Sequence, residues 1–272
     1  MTKMVSVILP VFNAQKDLAR CLDSILGQDY ENLEILAVND GSTDQSLETL
    51  QRYARWDERL KVFSQPNSGV SAARNLALGK AQGEYIRFVD ADDALPPGSI
   101  RLMAEAMENN QADLVIAPYT EVLAGSFRKV HGELKCQGKL QQRDFLDFYR
   151  QYPNSFYYSV LWNKLYCRRI IQENSLSFDA GMAWSEDFVF NTHYYRYIAR
   201  AVVAEEPVYD YHRNVDGLTM GFTRKVLRHP IQSIRDKAHL YRHYKALFVH
   251  AGLYKKHRLS VLLSFLKPTL GD

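Results

Sequence analysis

Short apolar runs alternate with segments of helical periodicity over the first 118 residues of the chain. The runs have the length and β-branched content of strands, and the segments between them repeat apolar residues at helical spacing. This alternation predicts an α/β fold with a mainly parallel sheet and helices on both faces. The predicted strands are residues 5–9, 33–38, 60–63, 85–89 and 114–117, and the predicted helices lie near residues 16–27, 44–56, 70–80 and 98–109.

The pattern changes after Pro118, where glycines separate short extended pieces and an aromatic-rich stretch follows over residues 145–166. We therefore divide the α/β domain into a first half, residues 1–118, and a second half, residues 119–223. From residue 224 to residue 272 apolar residues recur at helical spacing, which predicts a helical C-terminal extension.

The extension is strongly basic. The chain has 34 Lys and Arg against 31 Asp and Glu, a net charge of +3, whereas residues 224–272 hold eleven Lys or Arg and two Asp, a net charge of +9. A basic amphipathic helix fits the anionic surface of a membrane, which would make this a peripheral membrane protein. The alternative is a helical pair that packs on the domain or forms a homo-oligomer interface. We expect no nucleic acid partner, because no recognition motif accompanies the charge.

Targeting and redox signals are few. No separate apolar region precedes the first predicted strand, and the apolar stretch at 259–266 is too short to span a bilayer. The three cysteines, Cys21, Cys136 and Cys167, are far apart and lack metal-ligand spacing, so we expect neither a disulfide framework nor a zinc site. These features predict a cytoplasmic protein, located at the inner face of the cytoplasmic membrane if the extension binds lipid.

Carboxylates follow two of the predicted strands where each strand ends. Asp90, Asp92 and Asp93 come directly after residues 85–89, and Asp40 follows residues 33–38. Because ligands of open α/β sheets bind beyond the carboxyl ends of strands, we expect both acidic ends to line one crevice. Carboxylate oxygens suit Mg²⁺ or Mn²⁺, which complete their shells with water and phosphate oxygens. The alternative is that these aspartates only cap turns and helices.

Four segments in the first 100 residues resemble, in order, the motifs of glycosyltransferase family 2. The resemblance implies the GT-A fold, a UDP-sugar donor, a Mn²⁺ or Mg²⁺ cofactor and inversion at the anomeric carbon of the transferred sugar. It also assigns residues 1–118 to the donor and residues 119–223 to the acceptor. The segments are Val5-Ser-Val-Ile-Leu-Pro-Val-Phe-Asn13, Val38-Asn-Asp-Gly-Ser-Thr-Asp44, Asn67-Ser-Gly-Val-Ser-Ala-Ala-Arg-Asn75 and Phe88-Val-Asp-Ala-Asp-Asp93.

The resemblance gives each donor-side residue a role. The carboxylate of Asp40 would accept a hydrogen bond from N3 of uracil, while the main chain near Pro10 meets the edges of the ring. Asp90 would bind the ribose hydroxyls or the outer shell of the metal, and Asp92 would ligate the metal directly. The complete predicted donor set is Pro10, Val11, Asn13, Asp40, Asn67, Arg74, Asp90, Ala91, Asp92 and Arg213.

Inversion also requires a base that deprotonates the acceptor hydroxyl on the face of the sugar opposite the diphosphate. The segment Trp184-Ser-Glu-Asp-Phe-Val-Phe190 resembles the family's Glu-Asp acceptor motif. We assign Asp187 as the catalytic base and Glu186 as the residue that binds or orients the acceptor hydroxyl. The alternative is a helix start capped by Ser185 with two acids in the first turn, and both descriptions can hold together.

Two later segments carry further candidates. Trp162 lies in Trp162-Asn-Lys-Leu-Tyr166 and either stacks on an acceptor sugar or belongs to the core. His212 either completes the metal shell, contacts phosphate or is structural, and Arg213 would neutralise phosphate charge.

We therefore expect an inverting, metal-dependent hexosyl- or N-acetylhexosaminyltransferase that moves a sugar from a UDP-sugar to a hydroxyl of a cell-surface glycan or lipid-linked saccharide. A processive synthase is not expected, because its usual signature Gln-x-x-Arg-Trp is absent from the sequence. One alternative is an inactive glycan-binding or assembly subunit. Another is a nucleotidyltransferase, which would need a glycine-rich basic loop that residues 9–13 lack.

Overall fold

The computed structural model describes residues 2–123, 128–132, 138–153, 155–182, 184–213 and 230–266. The described strands are β1 (Val5–Val11), β2 (Leu33–Asp40), β3 (Leu60–Gln65), β4 (Tyr85–Phe88), β5 (Leu114–Ile116), β6 (Tyr119–Val122), β7 (Arg128–His131), β8 (Gly138–Gln141), β9 (Lys164–Cys167), β10 (Arg200–Val203) and β11 (Asp210–His212). The described helices are α1 (Leu18–Leu26), α2 (Ser46–Ala54), α3 (Val70–Lys80), α4 (Ser99–Asn109), α5 (Gln142–Gln151), α6 (Phe156–Ser159), α7 (Arg168–Glu173), α8 (Glu186–Tyr194), α9 (Pro230–His250) and α10 (Tyr254–Leu266). All five strands and four helices predicted for the first half are confirmed.

The main sheet has eight strands in the order β3-β2-β1-β4-β9-β5-β10-β8. β1 runs parallel to β2 and β4, β2 runs parallel to β3, and β5 runs parallel to β10. β9 is antiparallel to both of its neighbours, and β8 is antiparallel to β10. The mainly parallel α/β sheet is confirmed, and the carboxyl ends of β1, β2 and β4 meet at one edge, where the acidic residues lie.

Burial explains the unbroken apolar runs. Every residue of β2 is buried, and β1 is buried except at Pro10, because helices cover both faces of this part of the sheet. Glu34 on β2 is a charged residue within these runs, and its carboxylate accepts hydrogen bonds from Ser6 Oγ at 2.7 Å and Lys61 Nζ at 2.8 Å. These partners satisfy a charge that would otherwise be costly to bury.

A smaller sheet of three strands, in the order β11-β6-β7, connects the second half of the chain to the end of β4. Ala94 and Asp210 form a bridge in which each N–H donates to the other's carbonyl oxygen, at 3.2 and 2.9 Å. This bridge places residues 210–213 beside the acidic loop at residues 90–93.

The predicted C-terminal helices are present as α9 and α10. α9 packs on α8, and Tyr244, Leu247 and Phe248 are fully buried there, as is Val261 on α10. The packed alternative therefore holds for α9, and deletion of the whole extension would uncover part of the core. The predicted boundary at residue 223, like Cys136, lies outside the described residues. Across the described part of the chain, no helix combines the length and apolar content needed to cross a bilayer.

Candidate active site

The ends of β1 and β2 are fastened to each other by hydrogen bonds. Asn13 has a left-handed backbone conformation with φ of 49°, its N–H donates to Ser42 Oγ at 3.1 Å, and its Oδ1 accepts from the Thr43 N–H at 2.8 Å. Gly41 also has positive φ, 72°, and a Cβ there would lie 2.6 Å from the backbone nitrogen of Asn67. These contacts bring Asn13, Asp40 and Asn67 to one side of the crevice, as predicted.

Asp40 has a structural role that the sequence interpretation did not anticipate. Its carboxylate is almost completely buried and accepts from the N–H groups of Ser68 at 2.8 Å and Gly69 at 2.9 Å, and from Gln65 Nε2 at 2.8 Å. Asp40 therefore holds the loop that begins α3. An ionised carboxylate offers about four lone-pair positions, and these three hydrogen bonds use three of them.

The sequence interpretation passed over Phe12. Val11 pairs with Asn39 in the β1–β2 register, so Phe12 follows at the level of Asp40, and its side chain is 50% exposed. Val11 is buried and Pro10 is half-buried, so Phe12 is the exposed apolar side chain at this strand end. The sequence signal that could have found Phe12 is its place directly after the apolar strand β1. The residues of the strand itself are mostly buried, so an aromatic side chain just beyond it can be exposed.

Arg74 joins the end of β4 to the two acids at the start of α8. Its Nη2 donates to Asp90 Oδ1 at 3.1 Å, and its Nη1 donates to Glu186 Oε1 at 2.9 Å and Asp187 Oδ1 at 2.6 Å. The Arg74 side chain is 5% exposed, whereas those of Glu186 and Asp187 are 15% and 22% exposed. The predicted catalytic pair is thus held by a buried cation and stays partly open to solvent.

The electrostatics of this cluster favour a base at Asp187. Burial raises the pKa of Asp187, Arg74 lowers it, and the nearby negative charges of Glu186 and Asp90 raise it again, so that the pKa ends above the ordinary carboxyl value. Burial lowers the pKa of Arg74, but the three carboxylates outweigh this effect and keep the guanidinium charged. A carboxyl whose pKa is raised toward neutrality accepts a proton more readily than an ordinary one.

Asp93, the third carboxylate of the acidic loop, is a positioning residue. It is 1% exposed, and it accepts from Tyr209 OH at 2.8 Å and from the His212 N–H at 2.7 Å. The Tyr209 hydroxyl in turn accepts from the Asp90 N–H at 3.1 Å. Burial, followed by the charges of Asp92 and Asp90, raises the pKa of Asp93. These bonds hold the backbone of His212 against Asp93, the residue after Asp92.

The side chains at this point suit a cation that arrives with a diphosphate. The described residues contain no cluster of three or more His, Cys, Asp or Glu side chains able to hold a metal without further ligands. Asp92 is half-buried, and its carbonyl oxygen accepts from Arg20 Nη2 at 2.5 Å. Burial, helped by Arg20, lowers the pKa of His212 and so favours the neutral imidazole that binds metal. One carboxylate with one imidazole fits Mg²⁺ or Mn²⁺ completed by phosphate and water oxygens.

Comparison with known proteins agrees with this geometry. The sequence profile described as glycosyl transferase family 2 matches residues 6–174. The uncharacterized glycosyltransferase EpsJ of Bacillus subtilis (strain 168) is 30% identical over 245 residues, which cover 90% of this chain and 71% of EpsJ. The chain belongs to glycosyltransferase family 2. Glycosyltransferase GlyA of Streptococcus pneumoniae is also 30% identical, over 98% of this chain but only 38% of GlyA.

Solved structures confirm the GT-A fold of this glycosyltransferase. S. aureus TarS 1–349 in complex with UDP-GlcNAc superimposes with a TM-score of 0.74 at 23% identity, over 97% of this chain and 71% of that one. The mannosyltransferase PcManGT from Pyrobaculum calidifontis, in complex with GDP-Man and Mn²⁺, superimposes with a TM-score of 0.59 at 20% identity, over 97% and 73% of the two chains. At these identities the likeness establishes the fold alone.

Trp162 has a core position in this glycosyltransferase. It is 3% exposed, it stacks on Tyr209 with ring centroids 4.3 Å apart, and it stacks on Tyr211 at 5.5 Å. The structure therefore corrects the assignment of Trp162 to the acceptor and supports the core alternative, because these rings occupy the surface on which a sugar would stack. The neighbouring Lys164 is also buried, and its Nζ donates to the carbonyl oxygens of Tyr157 and Val160.

Two other sequence expectations need revision. Ser185 has φ of 64° and its side chain makes no capping hydrogen bond, so the predicted Ser185 cap is wrong, although Glu186 and Asp187 do lie in the first turn of α8. The left-handed conformation turns the Ser185 side chain away from the capping position. Arg213, predicted near phosphate, is 48% exposed and forms an ion pair with Glu121 at 3.1 Å.

Replacement of Arg74 should move the pH dependence of the enzyme. Asp187 must be ionised to act as a base, so activity rises with pH through its pKa. In Arg74→Gln the cation that lowers this pKa is lost, and the acidic limb of kcat/KM against pH should move up by about 1 to 3 pH units.

The matched control is Arg59→Gln, because Arg59 pairs with Asp57 at 2.7 Å outside the crevice. This control should leave the pH profile unchanged. An acidic limb that stays in place in Arg74→Gln, or that moves to lower pH, would show that Arg74 does not act on the titrating base.

Proposed function

We propose that the chain is an inverting, metal-dependent glycosyltransferase that moves a sugar from a UDP-sugar to a saccharide hydroxyl. The observation that carries this proposal is the Arg74 cluster. In this cluster the carboxylates of Glu186 and Asp187, which are partly open to solvent, share Arg74 with Asp90 at the end of β4. Inversion needs a base on one side of the anomeric carbon and a leaving group on the other. The cluster supplies the first, and we place the second beyond the carboxyl ends of β1, β2 and β4.

The nucleotide would bind at the ends of β1 and β2. The half-exposed ring of Phe12 offers a face on which a base can stack, and the remaining lone-pair position of Asp40 offers an acceptor for N3 of uracil. Main-chain groups at Pro10 and Val11 would meet the ring edges, and the other predicted donor residues would contact ribose or diphosphate. UDP and UDP-GlcNAc in the TarS complexes support a uridine donor.

The diphosphate would lie near the acidic loop. We propose that Asp92 and His212 hold the divalent cation and that Asp90 contacts the ribose. When bound, such a cation stabilises the negative charge that develops on the departing diphosphate.

On the acceptor side, the carboxylate of Asp187 takes the proton of the attacking hydroxyl while Glu186 orients that hydroxyl. Arg74 keeps both acids in position through separate hydrogen bonds to each. It also opposes the effect of burial on the pKa of Asp187, which keeps that pKa lower than burial alone would. The acceptor we propose is a cell-surface glycan or lipid-linked saccharide.

Replacement of Asp187 by Asn should abolish transfer while the donor still binds. Asn keeps the shape of the side chain and cannot accept the proton, so kcat should fall by about 10² to 10⁴. We would measure UDP release from a panel of UDP-, GDP- and CDP-sugars with Mn²⁺ or Mg²⁺, and UDP affinity by calorimetry.

Asp144→Asn is the control, because Asp144 is an exposed aspartate in the first turn of another helix, α5. Transfer by Asp187→Asn within a few-fold of wild type would contradict the assignment and direct the same test to Glu186. Saccharide binding by the wild-type protein without turnover of any donor would favour the inactive glycan-binding subunit.

We further propose that α10 contacts an anionic membrane surface. On this helix Leu259, Leu262 and Leu263 are 67%, 38% and 53% exposed, while Val261 is buried against the rest of the protein. Lys255 and Lys256 are exposed at the start of the same helix. Exposed leucines combined with lysines complement a lipid surface that is apolar below its anionic headgroups.

The double variant Lys255→Glu with Lys256→Glu should bind vesicles of phosphatidylcholine and phosphatidylserine at least about 30-fold more weakly, because each lysine contributes about 1 kcal/mol at an anionic surface. The measurement is cosedimentation at low and moderate salt. Arg52→Glu at the end of α2, combined with Arg55→Glu just after it, makes the same charge change and should have little effect. Equal vesicle binding by both double variants would contradict the proposal, and so would a wild-type protein that binds no vesicles. In either case, gel filtration would test whether α10 is a contact between two copies of the chain.

A further inference from the structure

Asn75 ends the third of the four sequence segments and has no part in the donor, metal or base assignments. It follows Arg74 directly on α3 and is half-buried. Its Nδ2 donates to the carbonyl oxygen of Phe178 at 2.8 Å, and its Oδ1 accepts from the N–H of the same residue at 2.8 Å. One amide side chain therefore pairs with both main-chain groups of Phe178, as a neighbouring strand would.

The ring of Phe178 contacts both Arg74 and the helix that carries the acids. The guanidinium carbon of Arg74 lies 5.4 Å from the centroid of the ring. Phe190 of α8 stacks on the same ring, with centroids 4.3 Å apart and planes 6° apart. Phe88 of β4 meets Phe178 edge-on at 5.5 Å and Phe190 at 5.7 Å. These three buried rings form a packed support that joins β4 and α8 to the residue that Asn75 holds.

Two links therefore connect α3 to the start of α8. The first is direct, because Arg74 Nη1 donates to both Glu186 and Asp187. The second runs from Asn75 through Phe178 to Phe190, which lies one helical turn beyond Asp187 on α8. Adjacent residues of α3 supply the two links. A change in the second link should therefore alter the distance over which the first one acts.

We propose that Asn75 is a positioning residue that holds the main chain of Phe178 and thereby keeps the start of α8 at hydrogen-bond distance from Arg74. This inference rests on the proposed function, in which Asp187 is the base. Asn75 itself touches neither of the acids through a hydrogen bond described here, so it acts through Phe178 and Arg74.

The consequence for Asp187 depends on the charges around it. The charged and titratable groups near its carboxylate are Arg74 on α3, Asp90 after β4, Glu186 on α8 and Tyr166 on β9. Of these, Arg74 lowers the pKa of Asp187, whereas Glu186 and Asp90 raise it. A longer distance between Arg74 and Asp187 should weaken their attraction and raise the pKa of Asp187.

Replacement of Asn75 by Ala should move the acidic limb of kcat/KM against pH upward by at least about 0.5 pH unit. This is a fraction of the effect of removing a neighbouring cation altogether, which is about 1 to 3 units. In the Arg74→Gln background the same replacement should add no further shift, because the cation that Asn75 positions is already absent. A purely structural role would lower activity and leave the limb in place.

The matched control is Asn174→Ala. Asn174 is also half-buried, and its Nδ2 donates to a main-chain carbonyl oxygen, that of Ile170, at 2.9 Å. This control should leave the acidic limb unchanged. The proposal would be overturned by an unmoved limb in Asn75→Ala, by a downward shift, or by a shift that adds fully to that of Arg74→Gln.

A second variant breaks the same link at its next residue. Phe178→Leu keeps much of the apolar volume but removes the ring that contacts Arg74 and Phe190. It should move the acidic limb upward as Asn75→Ala does, and it carries the test if Asn75→Ala does not fold. A folded Phe178→Leu protein with an unmoved limb would contradict the proposal.

A measurement without substrates separates this proposal from the proposed function. Carboxyl ¹³C NMR, with the Asp187 signal assigned through Asp187→Asn, follows the ionisation of this residue in the protein alone. Asn75→Ala should raise the titration midpoint of Asp187 by at least about 0.5 pH unit, and Asn174→Ala should not. A raised midpoint would support the positioning role even in a protein that transfers no sugar. An unchanged midpoint in an active enzyme would overturn the positioning role and leave the proposed function standing.

Discussion

A single buried guanidinium, that of Arg74, links three carboxylates that come from distant parts of the sequence. Asp90 follows β4, and Glu186 and Asp187 begin α8 more than a hundred residues after Arg74. Burying one arginine or three acids alone would be very costly, whereas together they satisfy one another. The relative positions of α3, β4 and α8 are therefore constrained by this cluster.

The surrounding structure supplies the geometry that the cluster needs. Asp40 holds the loop in front of α3, so it determines where Arg74 emerges. Phe178 lies under the guanidinium at 5.4 Å from its ring centroid and also stacks on Phe190 of α8. The start of α3 and the start of α8 thus share supports, and a change at one of them is expected to disturb the other.

The parallel strands and the acidic residues at their ends could be predicted from the sequence. A buried strand appears as an unbroken apolar run, and the carboxylates that follow it are adjacent in the sequence. The partners of Arg74 were not predictable, because its Ala-Ala-Arg-Asn context says nothing about residues 186 and 187. The same limit applies to Asp93, whose contacts with Tyr209 and His212 depend on the small second sheet. The core position of Trp162 was not predictable either, because local sequence does not report that its ring stacks on Tyr209 and Tyr211.

The central claim is that Arg74 and Asp187 are energetically coupled across the crevice. A double-mutant cycle of Arg74→Met and Asp187→Asn, measured by urea unfolding, tests it most directly. Asp187→Asn should be less destabilising in the Arg74→Met background than in wild type, since it then relieves repulsion among unpaired acids, with a coupling energy of about 1 to 3 kcal/mol. Single changes that add to within about 0.5 kcal/mol would contradict the account.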